Sequence, residues 1–150
     1  MLKNLKMSYI AQGKKSANCG PCSIKIIADY YNISHPKGPK YSVQSLNRLL
    51  NVSSKWGCEI SDINRVIKRL GLKKKRINWD DIAHHLSNKR PIITVFMDEE
   101  NGGHYAVLKG ETKDDYIFHD PYFGRNFKRK KDSFKHRAKR FNNWLCAVYP

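Results

Sequence analysis

The chain has 150 residues, which suits a single domain spanning 1–150 with a buried core and leaves little room for a second. Hydrophobic residues make up 40% and aromatic residues 11%, which excludes a disordered chain, and no apolar run reaches the roughly 18 residues of a membrane span. Lys and Arg (29) outnumber Asp and Glu (13), giving a net charge of +16 that attracts polyanions; the four cysteines are too few for a disulfide scaffold.

The first fifteen residues, MLKNLKMSYIAQGKK, are basic but lack the apolar stretch of a secretory signal, so the expected location is the cytoplasm. Free thiols at Cys19, Cys22, Cys58 and Cys146 suit that compartment, with a Cys19–Cys58 or Cys58–Cys146 bridge left open. Residues 21–31 place Ile24, Ile27, Ala28 and Tyr31 on one helical face, and Pro21 suits its first turn. HPKGPK (35–40) reads as a loop. A second helix is expected over 43–50, capped by Ser42, with Ser45 rather than Glu or Gln three positions on and so no full capping box. A third runs over 62–70, capped by Ser61 and ended by Gly71, and a short fourth over 80–87.

The second half reads as strands. Pro91 precedes the apolar run IITVF, the turn DEENGG (98–103) leads into HYAVLKG, and ETKDD turns into YIFHD. NWLCAVYP adds a last strand. Helices followed by an antiparallel meander give an α+β domain, N-terminal helices packed on a C-terminal sheet.

Two basic clusters stand out, 68–76 and 125–140, the second with nine Lys or Arg and the single acid Asp132. An acidic partner or nucleic acid could use them, and so could plain solvation of a Lys-rich face.

The chemistry begins at NCGPCS (18–23). Cys19 lies at the mouth of the first helix, where the helix dipole and free N–H groups favour a thiolate. Gly20 lets backbone approach the sulfur, and the Cys19 N–H can donate to an oxyanion. Cys22 reads as a packed thiol, because a redox pair lacks a preceding strand and zinc lacks two further ligands.

Of six histidines, His104 follows Gly102 and Gly103 and opens a strand, a rigid mount for a base with cleared space beside its ring. His119 alternates with Asp120 and faces the other way, while His35, His84, His85 and His136 read as surface residues. If 104–110 pairs with 115–120, Asp120 returns beside His104 and can orient it. Gln12, seven residues before Cys19, carries an amide able to serve an oxyanion.

In Gln12, NCGPCSIKIIADYYN, GGHYAVLKG and YIFHDP, in this order and spacing, the sequence resembles the C39 family, the bacteriocin-processing branch of the papain-like cysteine peptidases. The resemblance spans about 8–148. It implies a papain-like fold with Cys19 as nucleophile, His104 as base, Asp120 as the orienting acid and Gln12 as oxyanion donor. The implied reaction is hydrolysis of a peptide or protein substrate through a thioester, with no cofactor and no metal. Many relatives open an export transporter and cleave after a double glycine; the resemblance carries the chemistry here, not that substrate. The competing reading is a papain-like module that binds nucleic acid or another polyanion without catalysis. A third combines the two, a peptidase whose basic groove selects acidic substrates.

Overall fold

The computed structural model describes residues 3–13, 15–38 and 40–150. Pro39 of the expected 35–40 loop lies outside them. Strand β1 (Lys3–Asn4) is followed by helices α1 (Cys19–Tyr30), α2 (Val43–Leu50) and α3 (Ile60–Arg69). Strand β2 (Lys73–Arg76), a 3₁₀ turn (Trp79–Asp81) and α4 (Ile82–Ser87) lead to β3 (Ile92–Asp98), β4 (Gly102–Glu111), β5 (Asp115–Asp120) and β6 (Gly124–Lys130). Helix α5 (Lys131–Ala138), a second 3₁₀ turn (Lys139–Phe141) and β7 (Leu145–Tyr149) complete the chain.

The sheet is antiparallel in the order β2-β7-β3-β4-β5-β6, with β1 added beside β4. It is covered on both faces, which explains why IITVF is continuously apolar. Ile93, Val95, Tyr105 and Val107 join α1, α2 and α3 in one core; Ile92, Phe96, Leu108 and Phe118 join α4 and α5 in the other. Helix α1 lies between α2 and β4, so Ile26 is buried as fully as Ile24 and Ile27, more than a one-faced helix allows.

The local signals differ from expectation at several ends. Helix α1 starts at Cys19, two residues earlier than the apolar pattern indicates. Helix α2 has a complete capping box: the Ser45 N–H donates to Ser42 Oγ at 3.0 Å, and Ser45 Oγ accepts from the Ser42 N–H at 3.1 Å. A serine hydroxyl thus does what the usual Glu or Gln does. Helix α3 begins before Ser61, because the Asp62 carboxylate accepts from the Glu59 N–H at 3.1 Å and fixes the start there. Gly71 ends it with φ +79°, and the Gly71 and Leu72 N–H groups return to Lys68 and Ile67 carbonyls in a Schellman motif.

The basic clusters keep their charges at the surface, and each belongs to a regular element. KKKR (73–76) is the exposed edge strand β2, and 125–140 supplies β6 and α5, with Phe134 and Ala138 fully buried. Arg129 lies 4.8 Å from the Phe96 ring centroid and 5.0 Å from those of Phe123 and Phe127. The aromatic and small residues interleaved in the charge run anchor it to the sheet, while its Lys and Arg side chains stay exposed or half-buried.

The β4–β5 register shifts between Leu108 and Gly110, where β1 pairs with Gly110 and Glu111. A Cβ on Gly110 would overlap the Lys3 carbonyl oxygen and come within 2.8 Å of Asn4 Cα. Gly110→Ala is therefore expected to push β1 off the sheet and lower stability by about 1–3 kcal/mol, read as a lower urea midpoint at unchanged slope.

Candidate active site

Cys19 is the first residue of α1, at the point where α1 packs across β4 and β5. The preceding Asn18 does not cap the helix; its Oδ1 accepts from Asn47 Nδ2 at 2.5 Å instead. The first-turn N–H groups are thus left without a side-chain cap, which keeps them available to an anion. Gly20 matters for a different reason than its place beside the sulfur suggests. A Cβ there would lie 2.6 Å from Cys58 Sγ, so the missing side chain admits the loop that carries Cys58.

His104 stands near the start of β4, opposite Phe96 in β3. The pairing of Val107 with His119 brings the end of β5 back alongside it, as the strand spacing predicts. His104 Nε2 meets Asp120 Oδ1 at 2.6 Å, and both side chains are fully buried. The same Oδ1 accepts the Tyr122 N–H at 3.0 Å and the Phe123 N–H at 3.1 Å, which fixes the carboxylate. Nε2 is committed to Asp120, and Cys19 is near enough to act on the state of the ring. Burial pulls the imidazole pKa down, and the hydrogen bonds and charges of Asp120 and Cys19 outweigh that, raising it to about 9. Phe96, at 5.5 Å, and Phe123, at 6.0 Å, meet the ring edge-on.

The two glycines before His104 serve other ends than clearing its ring. Gly102 adopts φ +69° to close the turn from β3, and a Cβ on Gly103 would lie 2.8 Å from Cζ of Phe141. The space belongs to Phe141.

Gln12 is tethered next to this group. Its N–H donates to the Pro121 carbonyl at 2.9 Å, and its Nε2 donates to the Ser16 carbonyl at 2.9 Å. One amide hydrogen is thereby used in holding the loop, and the second remains.

Cys19, His104 and Gln12 line one cleft of about 840 Å³, together with Trp56, Cys58 and Phe141. The last three were not legible as site residues. Trp56 and Cys58 lie in the loop before α3, and Phe141 comes from the far end of the chain. The one available signal was WGC, a large aromatic in a polar loop with no apolar partner at helical or strand spacing; Trp56 is 79% exposed.

All four cysteines are free thiols. Cys22 is fully buried, as expected of a packed residue, and burial beside Cys19 pushes its thiol up to about 12. Burial likewise pushes Cys58 up to about 12. Among the histidines read as surface residues, His85 is the exception at 4% exposure, because α4 turns it under the chain.

His119 faces away from Asp120, as strand alternation requires. Its Nε2 donates to the Met7 carbonyl at 2.9 Å, and its Nδ1 accepts the Asn126 N–H at 3.2 Å. Burial, reinforced by Lys109 and Arg125, lowers its pKa to about 4. A depressed histidine stabilises the fold fully above its ordinary value of about 6.5, and the contribution is lost as pH falls toward 4. Wild type should therefore lose about 3 kcal/mol more than His119→Gln between pH 6.5 and 4 in urea titrations; parallel acid limbs would refute this assignment.

Residues 6–141 match the sequence profile of the Peptidase C39 family. The chain belongs to the C39 peptidase family. No curated protein sequence matches it. Solved structures of C39 domains share its papain-like fold. The peptidase domain of Streptococcus ComA, a bifunctional ABC transporter of a quorum-sensing pathway, is 22% identical with a TM-score of 0.70, covering 99% of this chain and 98% of that one. A double-glycine-motif protease from an AMS/PCAT transporter, solved with its leader peptide, is 20% identical with a TM-score of 0.71, over 98% and 94%. A C39-like protein from Bacillus anthracis is 13% identical with a TM-score of 0.75, over 99% and 98%. C39 membership does not favour the reading of a non-catalytic polyanion-binding module. Among the described residues of this C39 chain, no helix is long and apolar enough to cross a membrane.

Proposed function

We infer that the protein is a cysteine peptidase that cleaves a peptide bond through a Cys19 thioester, in a single domain and without a cofactor. The observation that carries this is Cys19 and His104 on the wall of one cleft, with the buried Asp120 carboxylate held at 2.6 Å from His104 Nε2.

The roles follow from which atoms face which. Asp120 accepts from Nε2, sets the ring's tautomer and favours the imidazolium. The imidazolium faces the Cys19 thiolate as its counter-ion. The thiolate attacks the peptide carbonyl carbon, and the carbonyl electron pair moves to oxygen. The Cys19 N–H at the uncapped helix start and the second amide hydrogen of Gln12 receive that oxyanion. Collapse of the intermediate expels the amine, which takes the proton from His104. Neutral His104 then deprotonates water, which hydrolyses the thioester and restores the thiolate.

A peptide substrate suits the open cleft, and the AMS/PCAT relative was solved with a leader peptide bound. The test sets wild type beside Cys19→Ala, with a thiol-reactive peptide probe and a peptide library read by mass spectrometry. Wild type should label at Cys19 and cleave, and Cys19→Ala should do neither. Equal labelling of both proteins, with no cleavage by wild type, would sink the proposal.

A further inference from the structure

A second groove lies beside the catalytic cleft. Ile60 and Phe141 form a shared wall with this groove of about 310 Å³, lined further by Asn64, Lys74, Arg76 and Asn142. A peptide lying over Cys19 and continuing past Ile60 and Phe141 enters this groove.

Strand alternation decides which cations reach it. Lys74 pairs with Val148 and Arg76 with Cys146, both members of the core under α1 and α3. Lys73 and Lys75 pair with Tyr149 and Ala147 and stand on the opposite face, where Ala147 belongs to the other core. Four consecutive basic residues are thus split into two pairs, and only Lys74 and Arg76 face the side of the sheet that carries the cleft. Asn64 faces them from α3.

Among the described residues the groove holds no counter-charge. No acidic residue lines it, and among the described residues neither Lys74 nor Arg76 makes an ion pair. One Arg76 nitrogen, Nη2, donates to the Asn142 carbonyl at 2.5 Å, which pins the guanidinium over the groove and leaves its other N–H groups for a ligand. A held guanidinium and a nearby ammonium suit a carboxylate.

We propose that Lys74 and Arg76 form a specificity subsite that takes an acidic side chain of the peptide substrate, placed beyond the Ile60–Phe141 wall from the scissile bond. This rests on the peptidase reading and adds the substrate class. An edge strand also carries lysine for another reason, since charge blocks pairing with foreign strands. Lys73 and Lys75 would meet that need equally well, so they separate the two roles.

The experiment uses Cys19→Ala, which holds peptides without turning them over, on an array in which Asp, Asn or Lys is moved along an otherwise neutral sequence. At one position Asp should bind roughly tenfold better than Asn at low salt, with the gain shrinking as ionic strength rises. Lys74→Gln with Arg76→Gln should abolish the gain. Lys73→Gln with Lys75→Gln should keep it. Equal binding of Asp and Asn peptides at every position, or equal loss in both double variants, overturns the subsite. In the otherwise wild-type enzyme, the first pair should raise KM for the Asp peptide with kcat nearly unchanged. If wild type cleaves nothing, the peptidase reading falls, and the array still decides the subsite.

Discussion

On the proposed mechanism, Cys19→Ala is expected to remove acyl transfer altogether, and His104→Ala to lower kcat/KM by about three orders of magnitude or more. Without the sulfur there is no nucleophile to form the thioester. Without the imidazole the leaving amine loses its proton donor and the thioester loses the base that activates water. Both losses act on one unit, so the double variant should be no slower than Cys19→Ala alone. His104 is fully buried, and its removal leaves Asp120 inside without its main partner. Circular dichroism and the urea midpoint must therefore accompany the rates. A folded His104→Ala protein within tenfold of wild type would remove His104 from the reaction.

The second large effect belongs to Asp120→Asn and is read against pH. With its pKa raised to about 9, His104 keeps its proton across the neutral range, so the wild-type rate should hold until about pH 9 and then fall as the imidazolium is lost. Asparagine still accepts from the Tyr122 and Phe123 N–H groups, so the turn survives while the charge goes. The alkaline limb should then move down toward the ordinary histidine value of about 6.5, with kcat reduced by roughly 10²–10⁴-fold. Stability has the matching sign. A raised histidine stabilises the fold fully below about 6.5, and the contribution is lost as pH rises through about 9. Asp120→Asn should therefore be destabilised by about 3 kcal/mol in mildly acidic buffer and converge on wild type above pH 9. An unmoved alkaline limb would show that Asp120 does not set the state of His104.

The residues brought together in the site were largely legible because their signals are local. Cys19 precedes a Gly-Pro pair that opens a helix. His104 and Asp120 sit on neighbouring strands whose turn length places them side by side. The same locality misled at the glycines. Gly20 and Gly103 were read against their chain neighbours, the sulfur and the ring, yet each makes room for a distant residue, Cys58 and Phe141. The basic run 125–140 held a further feature that a charge count cannot reveal, since its Phe134 packs against Phe96 and Phe118.

By itself, then, the sequence determined helices α1 to α4, strands β3, β4, β5 and β7 and the resemblance to the C39 peptidases, but not β1, β2, β6 or helix α5. It also determined the pairing of His104 with Asp120, because helix periodicity, strand alternation and tight turns act over a few residues. Only the tertiary structure decided what completes the cleft and where the basic residues stand around it. Trp56, Phe141 and the Lys74–Arg76 pair reach the cleft or its extension from separate elements. No local pattern records that meeting, since it depends on which strands become sheet edges and on which face of the sheet each side chain stands.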